Sequence, residues 1–172
     1  PGSAIFPTVL SLASMEDMSF KEFSAAIVAG YEVMARIGMA ATVQGQYDRG
    51  FHPTGTAGVF GATTAAARIL NLDATAMHSA LGIALSLASG SMAFLVDGAW
   101  TKRLHPGWAA HSGLIAARLA AAGFKGPHDA IAGPDGFLHA YSDTRDDRQL
   151  TEELGELPLA IERTSIKAHA CC

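Results

Sequence analysis

The stretch Thr56-Ala-Gly-Val-Phe-Gly-Ala-Thr-Thr-Ala-Ala-Ala-Arg-Ile-Leu70 reads as a helix built mostly of small side chains, with Gly58 and Gly61 near its start and Ala65, Ala66 and Ala67 beyond. Small residues at helical spacing allow a neighbouring backbone to come close, so the segment predicts a tightly packed helical interface. The same periodicity runs through nearly all of the chain, and the fold class it predicts is all-α, a multi-helix bundle.

Upstream, Ser19-Phe20-Lys21-Glu22 fits a capping box and opens a helix with Phe23, Ala26, Ile27, Gly30, Tyr31 and Met34 on one face. Gly38 is one stop for it, and Met39 to Val43 a continuation. Before it, Ile5 to Ala13 reads as a short buried helix with Pro7 in the first turn, where a missing N–H does no harm. Downstream, Asp73 caps a helix from Thr75 to about Ser89, whose Met77, Leu81, Leu85 and Leu87 suit the centre of the bundle. His105 and Pro106 fit the cap and first position of another helix, which runs through Ile115 and Leu119 and closes at Gly123. Past Gly126 the chain breaks into short pieces at Pro127, Pro134 and Gly136, and Asp143 to Arg148 reads as a solvated loop. Residues 157–167 alternate in the manner of a strand, but one strand needs a sheet that the chain does not contain. The expected organisation is a partial helical domain over 1–156 and a junction over 157–172 to a missing second domain.

Of the 172 residues 49% are hydrophobic, enough for one substantial core, and only 16% are charged, which predicts a surface partly covered by a partner subunit or by further chain. A net charge of −4 argues against nucleic acid as a partner. Cys171 and Cys172, adjacent at the end, make no disulfide framework, so the cytoplasm is the default location. The opening Pro1-Gly2-Ser3, without methionine, is expected of a truncated start. Ser79 to Val96 is uncharged and long enough to raise a membrane span, but Ser86, Ser89, Gly90 and Ser91 dilute it, so no membrane partner is expected.

Two polar islands interrupt the apolar pattern: Arg49-Gly50-Phe51-His52-Pro53-Thr54-Gly55-Thr56 and Asp97-Gly-Ala-Trp-Thr-Lys-Arg-Leu-His-Pro-Gly-Trp108. Each precedes or opens a helix, where unpartnered amides and the helix dipole favour negative charge, so together they suggest a pocket for a small carboxylate or phosphate. His52 also suits a plain loop histidine, Lys102 a solvated lysine, and Trp100 a core anchor. His78, His105 and His111 read most simply as structural. Asp97 fits either an orienting carboxylate for Lys102 or a turn former before Gly98. No His-x-x-x-His pair with a carboxylate, no Cys-x-x-Cys and no Gly-Lys-Ser/Thr phosphate loop occurs, so neither a metal nor an organic cofactor is called for.

Five blocks carry a family resemblance: Gly2-Ser-Ala-Ile-Phe-Pro, Gly30-Tyr-Glu-Val, Gly50-Phe-His-Pro-Thr-Gly-Thr-Ala-Gly, Gly98-Ala-Trp-Thr-Lys-Arg-Leu-His-Pro-Gly-Trp-Ala-Ala and Ile166-Lys-Ala-His-Ala-Cys-Cys. Through them the chain resembles the MmgE/PrpD family, a metal-independent group that includes 2-methylcitrate dehydratase, cis-aconitate decarboxylase and iminodisuccinate epimerase. The resemblance implies a helical domain, a smaller α/β domain closing over the site, and a homodimer. It implies that His52, Lys102 and Lys167 face the substrate, a small di- or tricarboxylate, with the lysines holding carboxylates or exchanging protons and His52 transferring or orienting one. The Asp, Thr and His that complete the family's pocket would fall before Pro1. The expectation is therefore an internal piece of a lyase, inactive alone, with dehydration as the leading reaction. Decarboxylation, epimerisation and a noncatalytic helical interaction domain are the alternatives.

Overall fold

The computed structural model describes residues 1–166, and within them the fold is all-α, with helices and no strand. Nine α-helices follow in order: α1 (Gly2–Ala13), α2 (Phe20–Ala40), α3 (Val43–Asp48), α4 (Pro53–Thr56), α5 (Gly58–Ile69), α6 (Ala74–Leu87), α7 (Phe94–Asp97), α8 (Thr101–Ala121) and α9 (Phe137–Tyr141). A short 3₁₀ turn (Asp147–Leu150) follows.

The capping box forms as its sequence predicts. The Ser19 hydroxyl accepts from the Glu22 N–H, and the Glu22 carboxylate accepts from the Ser19 N–H at 2.8 Å, so two unpartnered donors of α2 are satisfied together. Glu22 is held below the usual carboxylate range, chiefly by that backbone bond. The Asp73 side chain caps α6 through the Ala76 N–H. Gly123, at φ +88°, follows the end of α8 in the left-handed conformation that glycine adopts without cost.

The centre of the bundle is α5, not α6 as its apolar sequence predicts. Every residue from Gly58 to Ala67 is buried, and α5 packs against α1, α2, α6 and α8. A Cβ on Gly61 would lie 2.7 Å from the Gly30 carbonyl oxygen, and one on Gly113 would lie 2.6 Å from the Thr63 nitrogen. The backbones of α2, α5 and α8 thus touch where side chains are missing. α6 buries only Ala80, Gly82, Ile83 and Ala84, its larger apolar residues lying half-buried around the core.

Two other boundaries differ from the sequence reading. α1 begins at Gly2, so Pro7 stands in its second turn. α8 begins at Thr101, which moves His105 and Pro106 from the cap into the second turn. Pro106 therefore removes the bond that the Lys102 carbonyl would have accepted. Ser79 to Val96 is no single helix, because α6 ends at Leu87. Among the described residues, α2 is by length and composition alone the helix that could cross a membrane; its apolar side is laid against α5. Residues 157–166 form turns rather than the expected strand.

Candidate functional site

The two polar islands, far apart in sequence, are joined by backbone. The His52 N–H donates to the Gly90 carbonyl at 2.8 Å, the Met92 N–H donates to the Gly50 carbonyl at 2.8 Å, and Phe51 and Ser91 form an antiparallel bridge. This strap requires close approach: a Cβ on Gly55 would collide with the Ser89 carbonyl oxygen, and Gly90 holds φ +144°, a backbone form that side chains rarely adopt. Below the strap an aromatic column fixes its height. Phe51 packs on Tyr141 at 4.7 Å, Tyr141 stacks on Phe137 at 4.7 Å, and Phe137 meets Phe60 of the core edge-on at 5.0 Å. The Tyr141 hydroxyl donates to the Ala88 carbonyl at 2.7 Å, and burial raises its pKa.

Above the strap, Phe94 is the hub, only 5% exposed. The His52 ring stands edge-on to it at 5.8 Å, the His105 ring at 5.7 Å, and the Lys102 ammonium lies 5.7 Å from its centroid. The two imidazoles meet Nδ1 to Nδ1 at 2.9 Å. Burial, then the neighbouring His105, then Lys102 hold the His52 pKa down at about 4, and burial lowers that of His105. Both rings are therefore neutral at pH 7, and the fixed positive charge beside them is that of Lys102.

His52 and Lys102 are thus brought together, whereas Lys167 lies outside the described residues. The sequence reading placed His105 in a structural role and did not single out Phe94. The signal for His105 was the spacing Lys102-x-x-His105, which puts both side chains on one face once the helix is started at Thr101. Starting it at Pro106 hid that pairing. Both islands stand at helix starts, His52 as the N-cap residue of the single-turn α4 and Lys102 in the first turn of α8, but His105 lies inside α8 rather than at its cap. Asp97 acts as a turn former: its carboxylate accepts from the Ala99 N–H at 3.0 Å. Trp100 is no core anchor but 78% exposed, with the Arg103 guanidinium 5.3 Å from its ring.

Two hollows adjoin the cluster. One, of about 530 Å³, is walled by Ser89, Gly90, Ser91, Leu104, His105 and Trp108; the other, of about 310 Å³, by Phe94, Leu95, Trp100, Lys102 and Arg103. A third, of about 470 Å³, lies between α2 and residues 149–164. Its most central cation, Arg36, is already bound by the Glu32 carboxylate and by the carbonyls of Gln149, Glu152 and Glu153, so it has little left for a ligand. Of the two hollows beside the cluster, the smaller carries the cations, Lys102 and Arg103. No group of three or more His, Cys, Asp or Glu side chains among the described residues is placed to hold a metal ion.

Residues 1–150 match the MmgE/PrpD N-terminal domain. The chain is 33% identical over 146 residues to a human (Homo sapiens) cis-aconitate decarboxylase, covering 83% of the chain and 30% of that protein. It is 30% identical over 131 residues to a cis-aconitate decarboxylase-like protein, oryM, of Aspergillus oryzae, covering 72% of the chain and 27% of the relative. A cis-aconitate decarboxylase of Aspergillus terreus is 33% identical over 100 residues, or 58% of the chain and 20% of the relative. The chain thus spans less than a third of the length of these relatives.

Proposed function

We propose that this chain, which belongs to the MmgE/PrpD family by the match over residues 1–150, carries part of the pocket of a metal-independent lyase that acts on a small di- or tricarboxylate. The observation that carries the reading is the meeting of His52 and Lys102 around Phe94, with Phe94 and Lys102 also lining a hollow of about 310 Å³.

In this reading Lys102 holds a substrate carboxylate and stabilises the charge that gathers on it. His52, uncharged at neutral pH, accepts or donates one proton rather than serving as a second fixed cation. The relatives' names favour decarboxylation of a cis-aconitate-like acid. There the carbon–carbon bond to one carboxylate breaks, carbon dioxide leaves, and the electron pair is delocalised into a remaining unsaturated carboxylate until carbon takes a proton. Dehydration of a 2-methylcitrate-like acid needs a related anion, formed by loss of the α-proton, with hydroxide leaving as water after protonation.

The test is turnover by the full-length protein with cis-aconitate, 2-methylcitrate and citrate, products being separated by chromatography. Replacement of Lys102 by Met is expected to lower kcat/KM by roughly 100-fold or more, and of His52 by Asn by about 100-fold. Turnover of one of these acids that is untouched by Lys102→Met, or no turnover of any of them, contradicts the reading.

A further inference from the structure

The Nδ1-to-Nδ1 contact of His52 and His105 constrains where protons sit. Two neutral imidazoles can make this bond only if one carries its proton on Nδ1 and the other on Nε2. No buried side-chain nitrogen or oxygen among the described residues lacks a partner, and the bond within the pair uses only the Nδ1 atoms, so the Nε2 atoms are the ones left to reach outward. One Nε2 then offers a lone pair and the other an N–H. Among the described residues, the groups facing the pair are the Lys102 ammonium from α8 and the apolar Phe94 ring from α7, with Gly90 of the strap against His105 Nδ1. None of these supplies a carboxylate to stabilise an imidazolium.

We infer that His105 is a positioning and relay partner of His52, the two rings forming a unit that passes a proton across without net charge. His52 Nε2 takes a proton from the ligand, the His52 Nδ1 proton moves to His105 Nδ1, and His105 Nε2 releases its proton to solvent. Each ring ends neutral in the opposite tautomer, and the reverse sequence delivers a proton to the ligand. One proton enters and one leaves, so the step balances. This rests on the proposed function only for the identity of the ligand; the proton sharing is a property of the pair itself.

The test uses full-length protein with ¹⁵N-labelled histidine. At pH 7 the long-range nitrogen–proton spectrum should show His52 and His105 neutral, with complementary tautomers. On acidification the pair should titrate in two separate steps, because the second proton meets the first. Replacement of His105 by Leu should release His52 from its fixed tautomer and cut kcat for cis-aconitate by roughly 10- to 100-fold with little change in KM. His105→Asn, which keeps a polar group near the Nδ1 position, should restore part of both. The same tautomer in both rings, or independent titration, overturns the inference, and so does a His52 tautomer unchanged in His105→Leu. The tautomer readout needs no turnover. A coupled pair in a protein that turns over no acid refutes the proposed function alone, while turnover with an uncoupled pair refutes this inference alone.

Discussion

Every residue from Gly58 to Ala67 is buried, whereas between Phe94 and Trp108 only Phe94 and His105 are, although the helices carrying the two stretches pack on each other. In α5, contact decides each identity: small residues stand where the backbones of α2 and α8 come close. In the second stretch folding leaves much undetermined. Leu95, Val96, Trp100 and Leu104 are between 59% and 91% exposed, and of the polar residues Lys102 and His105 lie at Phe94 while Asp97, Thr101 and Arg103 are exposed. Packing explains the first region, whereas the second is the surface to which the proposed function assigns the ligand.

The contrast can be broken at several points. Phe60, fully buried against Phe137, should cost about 3–5 kcal/mol when replaced by Ala. Trp100→Ala should change stability by no more than about 0.5 kcal/mol. Urea unfolding of both variants checks the pair, and similar losses would erase the distinction. Next come two glycines of one helix. Gly113→Ala drives a Cβ to within 2.6 Å of backbone in α5 and should cost about 1–3 kcal/mol. Gly107→Ala meets nothing within 4 Å and should stabilise by about 0.5–1 kcal/mol. Opposite signs in melting temperature are the expected result. Ser19→Ala, which opens the capping box of α2, should cost about 1 kcal/mol in the same assay.

The finest test is pH. His52 titrates near 4 in the fold, below the 6.5 of a free histidine, so the unfolded chain binds more protons between those values. This contribution to stability is full above pH 6.5 and is lost as the pH falls toward 4. Comparing urea midpoints of the parent and His52→Asn from pH 7 to pH 4.5 isolates it: the variant should lose less on acidification. Equal losses would show that His52 is not held neutral.

The legible parts of the fold were those written in local pattern. Ser19 with Glu22, Asp73 and Gly123 mark helix ends through groups within a few residues of one another, and the apolar face of α2 follows from its period. The central place of α5 was hidden, because an alanine-rich helix and a leucine-rich one differ in who packs against them, which hydrophobicity does not report. The start of α8 was hidden by Pro106, which is usually cheapest at a first position and here stands a turn further in. At the site, residue types singled out His52 and Lys102. Their meeting depends on the hydrogen bonds between residues 50–52 and 90–92, a long-range match without a sequence signature. Phe94 emerges only from that match, and His105 only once α8 is started at Thr101.

The most direct measurement is an NMR titration of the full-length protein with cis-aconitate, following the His52 imidazole nitrogens and the Lys102 side-chain signals together. The account predicts that both move and saturate at the same ligand concentration, while the ring of Phe20, exposed at the start of α2 and lining neither hollow, does not respond. Binding that leaves His52 and Lys102 unmoved, or moves them at different concentrations, would contradict it.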